Sequence, residues 1–122
     1  MLASFARKMD VEYTESLDGI TADKLKGFFV GWKSPHSPQK HLSILKRSAH
    51  VILALDPDSQ RVIGFVTALS DGTQSAFIPL LEVLPDYQRR GIGIELMKRL
   101  LKKINAIPAI DVTCDPQLQG FY

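Results

Sequence analysis

The chain has little cysteine, no long apolar run and no dominant charge, and each shortage closes a class of function. Cys114 is the single cysteine among 122 residues. It can form no internal disulfide, which suits a reducing cytosol and argues against a disulfide-stapled scaffold. No histidine lies near it in sequence, so packing is a simpler role for it than nucleophilic attack. No segment approaches the ~20 apolar residues needed to cross a bilayer. The opening MLASFARKMD breaks its apolar residues with charge and does not read as a secretory signal. Fifteen Lys and Arg against 13 Asp and Glu leave a net charge of +2, too small to argue for nucleic acid.

What is present is an ordinary globular composition, 45% hydrophobic and 23% charged. The length suits one domain with a real core. Residues 11–122 are expected to form it, after a terminal arm over residues 1–10.

The pattern along the chain supplies the elements. Val11–Thr14 reads as a short strand, and Thr21 as the cap of a helix over Ala22–Phe29 that buries Leu25, Phe28 and Phe29. Gly31–His36 reads as a loop. Ser37 followed by Pro38 is a cap with proline at the first helical position, opening a helix to about Arg47 with Leu42 and Leu45 inside. Three strand-like runs follow, His50–Leu55, Val62–Leu69 and Phe77–Leu84. Asp56-Pro57-Asp58-Ser59 and Ser70-Asp71-Gly72 separate them, so an antiparallel meander is expected. Pro79 lacks a ladder N–H and predicts a bulge or an exposed edge. A basic amphipathic helix over Gly91–Lys103 and a strand over Ala109–Thr113 complete a parallel, right-handed crossover. Asp115–Tyr122 reads as the start of one more helix. Lys98, Arg99, Lys102 and Lys103 lie on the face opposite Met97, Leu100, Leu101 and Ile104, with Glu95 and Arg99 spaced to pair.

The most informative stretch is LEVLPDYQRRGIGIELM, residues 81–97. Pro85 stops the strand, and Gly91 and Gly93 let backbone lie directly against a ligand. A helix opening there aims unpaired N–H groups and the positive end of its dipole outward, which suits phosphate. The stretch reads as a pyrophosphate cradle flanked by Arg89 and Arg90. A P-loop would need Gly-Lys-Ser/Thr after Gly93, and a dinucleotide fingerprint a third glycine where Leu96 stands.

Val83, Pro85, Gln88, Gly91 and Gly93 spell V-x-P-x-x-Q/R-x-x-G-x-G. This resembles motif A of the GNAT superfamily of acyl-CoA-dependent N-acyltransferases. The element order β-α-α-β-β-β-α-β-α is that of the family's α/β (α+β) fold, a mixed central sheet with flanking helices, so the resemblance covers nearly the whole chain.

The resemblance implies acetyl transfer from acetyl-CoA to a primary amine, by direct attack in a ternary complex, with no metal. It places Gln88, Arg89, Arg90, Gly91, Ile92, Gly93 and Ile94 at the pyrophosphate, and main-chain groups of Val83 and Leu84 along the pantetheine, one N–H polarising the thioester oxygen. Pantetheine in the family inserts like a strand where two strands splay. Phe121-Tyr122 matches motif B, with Tyr122 protonating the leaving thiolate and Asp115 near the CoA arm. The free pKa values of thiol and phenol differ by roughly 1.5, so that transfer is plausible chemistry.

The amine must lose a proton before attack, and Glu82, beside the thioester position, is the first candidate base, with Asp111 second. Glu82 could equally be an outward residue of an alternating strand. His36 lies in the loop expected to roof the acceptor, which Trp32, Phe28 and Phe29 could line. Relatives continue past the motif B tyrosine with two more strands. A chain ending at Tyr122 is therefore expected to leave the Ala109–Thr113 edge open, by truncation or for a partner such as a second copy. Two other readings are a CoA-binding sensor with little turnover and, last, a nucleic-acid module using the basic helix face. The expected location is cytoplasmic.

Overall fold

Strand propensity and turn chemistry combine into one five-stranded sheet in the computed structural model, which describes residues 10–113. The strands are β1 (Glu12–Thr14), β2 (His50–Leu55), β3 (Val62–Ser70), β4 (Ser75–Val83) and β5 (Ala109–Val112), adjacent in chain order. The first four pair antiparallel, and β5 pairs parallel with β4, in agreement with the expected meander and crossover. Two helices, α1 (Pro38–Arg47) and α2 (Ile92–Ile104), carry the remaining apolar faces. No helix among the described residues is long and apolar enough to cross a membrane.

Local chemistry explains most boundaries. The Ser37 hydroxyl accepts the Lys40 N–H at 3.1 Å, and Pro38 occupies the first turn, so α1 begins where the cap and proline require. The expected first helix is the exception. Only Ala22–Leu25 winds, as a 3₁₀ turn, and the Thr21 side chain makes no cap bond. Gly27 then adopts φ +94° and Phe29 φ +65°, which break the helical path. Leu25, Phe28 and Phe29 are nevertheless buried, so the apolar spacing marks the core even though the helix does not form.

The core forms on both faces of the sheet. On one, Leu96, Leu100 and Ile104 of α2 are buried against the strands; fully burying such a side chain stabilises by roughly 1.5–3 kcal/mol. Gly64 permits that contact, since a Cβ there would stand 3.1 Å from Leu96 Cδ1 and 3.3 Å from Ile92 Cγ2. The start of α2 is therefore held against β3. On α2's solvent side Arg99 pairs with Glu95 at 2.8 Å and Lys103 with Glu15 at 2.6 Å, so half of the basic face is engaged locally.

The other face holds an aromatic cluster in which Phe28, Phe29 and Phe65 surround His41 of α1, with ring centroids 4.3–5.2 Å from it. The helical stripe points to Leu42 and Leu45; His41 and Leu45 are the buried pair, and Leu42 is half-buried. Neither His41 ring nitrogen has a hydrogen-bond partner among the described residues. Burial first, and then the neighbouring charge of His36, lower its pKa to about 4.

A histidine that resists protonation when folded contributes stability that is complete above its unfolded pKa of ~6.5 and is lost as pH falls through that of the folded state. Urea titrations should show the wild type losing on the order of 3 kcal/mol between pH 7 and pH 4 from this group. A His41→Phe variant should lack that component. Equal pH slopes in the two proteins would refute the assignment.

Candidate functional site

Pro79 shapes the site from the middle of β4. Thr67 pairs with Leu80 while Leu69 pairs with Phe77, so Ile78 and Pro79 together oppose Ala68 in a bulge. The bulge shifts the phase of the backbone. Before it, the Ile78 carbonyl accepts the Thr113 N–H at 3.1 Å, so even-numbered positions face β5. After it, the Leu84 N–H donates to the Ile63 carbonyl at 2.8 Å, so even-numbered positions face β3. The N–H groups of Leu81 and Val83 consequently point to the β5 side. Pairing with β5 covers only Ser75–Ile78, and Pro79–Val83 has no strand on that edge among the described residues. The expected bulge is therefore present, caused by Pro79 and the extra residue beside it. Of the two residues expected along the pantetheine, Val83 offers its N–H to this open edge, whereas that of Leu84 is committed to β3.

The cradle lies at the end of the same strand. Pro85–Tyr87 forms a 3₁₀ turn where the sequence suggests only a loop. The Gln88 side chain then donates to the Val83 carbonyl at 3.0 Å, tying the loop to the strand. Arg89 adopts φ +65° and Gly91 φ +80°, a left-handed geometry that costs glycine little. The helical ladder opens with the Glu95 N–H donating to the Gly91 carbonyl at 3.0 Å. The N–H groups of Ile92, Gly93 and Ile94 therefore have no intrahelical acceptor and cluster at the helix mouth with the dipole behind them. Gly91, Arg89 and Arg90 are exposed there, while Ile92 and Gly93 are buried beneath. Arg90 lies 5.5 Å from the Tyr87 ring centroid and donates to the Asp86 carbonyl at 3.3 Å. The seven residues form one continuous turn into the helix mouth, and the backbone donors of Ile92, Gly93 and Ile94 suit an anion there.

Glu82 projects to the opposite face, toward the loop after the first 3₁₀ turn. Its two carboxylate oxygens each lie 2.9 Å from the Phe29 nitrogen, and one also accepts from Val30 N–H at 3.4 Å. This tie holds Phe29 in its unusual backbone conformation. Burial raises the Glu82 pKa above the ordinary carboxylate value, against the lowering effect of those N–H groups. Phe29 also stacks edge-on with Trp32 at 5.1 Å and His36 at 4.8 Å. Trp32 is 43% exposed, whereas Phe28 and Phe29 are both buried beside His41 and neither lines an open wall. Glu82, Phe29, Trp32 and His36 are therefore brought together.

Asp111 is not part of this group. It pairs with Phe77, five residues along β4 from Glu82, on the order of 15 Å away. Asp115 and Tyr122 lie outside the described residues. A groove of about 820 Å³ between β1 and α2, lined by Tyr13, Glu95, Arg99 and Lys102 among others, runs along α2 from its first turn to Lys103. Sequence reasoning missed Gly64, whose role shows only in what packs over it, and Tyr87, whose hydroxyl bonds Asp56 at 3.1 Å.

Comparisons with known proteins agree with this geometry. The profile of the Acetyltransferase (GNAT) family matches residues 17–122. A Deinococcus radiodurans R1 protein described as a candidate acetyltransferase is 43% identical, with a TM-score of 0.89 over 95% of this chain and 81% of its own. The uncharacterized N-acetyltransferase ycf52 of Porphyra purpurea is 31% identical over 98 residues, 76% of this chain and 55% of the relative. The chain thus spans about half the length of the curated relatives it matches. The NatC complex bound to Gag peptide and CoA shares the fold, at a TM-score of 0.61 and 18% identity over 80% of this chain and 68% of its own. A split strand leading into a glycine-capped helix mouth, together with these matches, places the chain in the acetyltransferase (GNAT) family.

Proposed function

We propose that the protein transfers the acetyl group of acetyl-CoA to a primary amine, on a small molecule or a peptide, by direct attack within a ternary complex. The observation that carries this reading is the continuity of the helix mouth at Gly91–Ile94 with the β4 edge at Leu81–Val83, which is unpaired on its β5 side among the described residues. A thioester on a long polar arm, ending in a pyrophosphate, matches an open strand edge that runs into an anion cradle. The CoA held by the NatC fold neighbour supports the same cofactor.

The roles of the described residues follow from where each group points, and those of Tyr122 and Asp115 from the family resemblance. Backbone N–H groups of Ile92, Gly93 and Ile94, with Arg89 and Arg90, hold the pyrophosphate. The Val83 N–H is directed to the edge where a thioester oxygen would develop charge, and fixed donors of that kind stabilise such charge strongly. Glu82 takes the amine's proton, directly or through water, which its raised pKa suits. As the amine nitrogen bonds to the carbonyl carbon, the C–S bond breaks and Tyr122 protonates the thiolate, with Asp115 beside the CoA arm. Trp32 and His36 form the acceptor side, with buried Phe29 packed behind them.

Thiol release from acetyl-CoA across a panel of amines tests the reaction, and tight binding of NADH or ATP without CoA would overturn it. A β-branched side chain at the Gly91 backbone angle is strained, so Gly91→Val should weaken CoA binding at least tenfold by calorimetry, about 1.4 kcal/mol. If Glu82 is the base, kcat/KM should rise with pH through an acid limb whose midpoint lies above the ordinary carboxylate range. Glu82→Gln, which retains one acceptor oxygen for Phe29, should then lower turnover ~10²-fold or more with CoA affinity unchanged. Tyr122→Phe should lower turnover to a similar degree and spare acetyl-CoA affinity; unchanged turnover would remove Tyr122 from the mechanism.

A further inference from the structure

The turn between β2 and β3 reaches both halves of the site. Asp56 sits at its start, where Oδ1 accepts the Asp58 N–H at 2.8 Å and the Ser59 N–H at 3.3 Å. Its other oxygen, Oδ2, accepts the Tyr87 hydroxyl at 3.1 Å, across 31 residues of sequence. Tyr87 immediately precedes Gln88, and its N–H is held by the Leu84 carbonyl at 2.9 Å. A further link leaves the same turn: Arg61 Nη2 donates to the Lys26 carbonyl at 2.9 Å. Gly27, at φ +94°, makes room for it, since a Cβ there would stand 3.1 Å from that nitrogen.

The cradle needs such support. Gln88–Gly91 is exposed, and two of its four residues have positive φ. Its N–H groups bind an anion well only if they converge before it arrives, because ordering them on binding costs affinity. A hydroxyl bonded to a carboxylate is a stronger tie than a neutral pair. The three donors around Asp56 outweigh its burial and hold its pKa below the usual value, so the tie persists at neutral pH.

We propose that Asp56 and Tyr87 are positioning residues for the pyrophosphate cradle, and that Arg61, on the same turn, positions the acceptor loop. One turn thereby sets the separation between cofactor and amine. The assignment rests on the CoA reading above and adds residues that the family motif does not explain.

Tyr87→Phe removes a single oxygen and keeps the ring beneath Arg90. Calorimetry should show CoA binding weakened about fivefold, as for loss of a partly exposed charge-assisted hydrogen bond. Acetyl-pantetheine, which has the thioester arm without the pyrophosphate, should retain its affinity within about twofold in a competition assay. Asp56→Asn should weaken CoA similarly, and the double variant should be no weaker than either single one. Arg61→Gln should instead raise the amine KM by a larger factor than it weakens CoA binding. Equal losses for CoA and acetyl-pantetheine would reduce the Tyr87–Asp56 bond to a general fold contact and overturn the proposal, as would unchanged CoA affinity in Tyr87→Phe. A wild-type chain that binds CoA yet acetylates no amine would strike the proposed reaction and the Arg61 assignment with it, but not the Tyr87–Asp56 assignment, whose comparison reads affinity. A wild-type chain that binds no CoA would overturn both.

Discussion

The split of β4 at Ile78–Pro79 is the constraint on which the rest of the site depends. A strand can serve two neighbours only while its N–H and carbonyl groups keep alternating in phase with both ladders. Proline contributes no N–H, and the bulge inserts one extra residue, so the alternation changes phase there. Toward β3 the ladder resumes and ends with Leu84 on Ile63. Toward β5 the pairing covers Ser75–Ile78, and among the described residues no strand pairs with the edge that Leu81 and Val83 face. An edge of this kind usually invites another chain; here it stands beside an anion cradle and reads as a place for an extended ligand.

Strand alternation then assigns opposite duties to successive residues. Val83 pairs with Gly64, on the face where α2 packs, while Glu82 pairs with Phe65, on the face with the aromatic cluster. The missing Cβ of Gly64 lets α2 start close to β3, which keeps the helix mouth at the strand's end. Glu82, one residue away, reaches the opposite way and fixes Phe29. The sides proposed for cofactor and for acceptor are thus separated by a single backbone step. A partly buried carboxylate with two N–H partners is a satisfied group, and a raised pKa keeps it suited to exchanging a proton.

The periphery shows how local turns acquire long-range work. Asp56 would cap its turn in any protein with this loop, since its Oδ1 needs only the N–H groups of Asp58 and Ser59. Its second oxygen is surplus to the turn and receives Tyr87. Arg61 likewise leaves the turn for the Lys26 carbonyl. Buried His41 is a contrast: three phenyl rings surround it and no described group bonds its nitrogens, so it weakens the fold in acid.

Features governed by neighbours in sequence are legible from the residues alone. Ser37-Pro38 sets the start of α1, Asp-Pro-Asp-Ser and Ser-Asp-Gly set the hairpins, Pro79 sets the bulge, and the spacing from Val83 to Gly93 sets the cradle. Each works through a cap, a fixed φ or a missing N–H that acts within a few residues. Contacts between distant segments are not legible in this way. The helix expected over Ala22–Phe29 shrinks to one turn because Gly27 leaves the helical region and Glu82, 53 residues from Phe29, captures the N–H groups a longer helix would have used. Burial of His41, the close fit at Gly64 and the Tyr87–Asp56 bond are decided likewise, by side chains that meet only when the sheet has formed. Sequence determined most elements and the glycine-led start of α2 because their chemistry is local; tertiary structure decided which groups of β4 face each neighbouring edge because that depends on the phase and packing of strands.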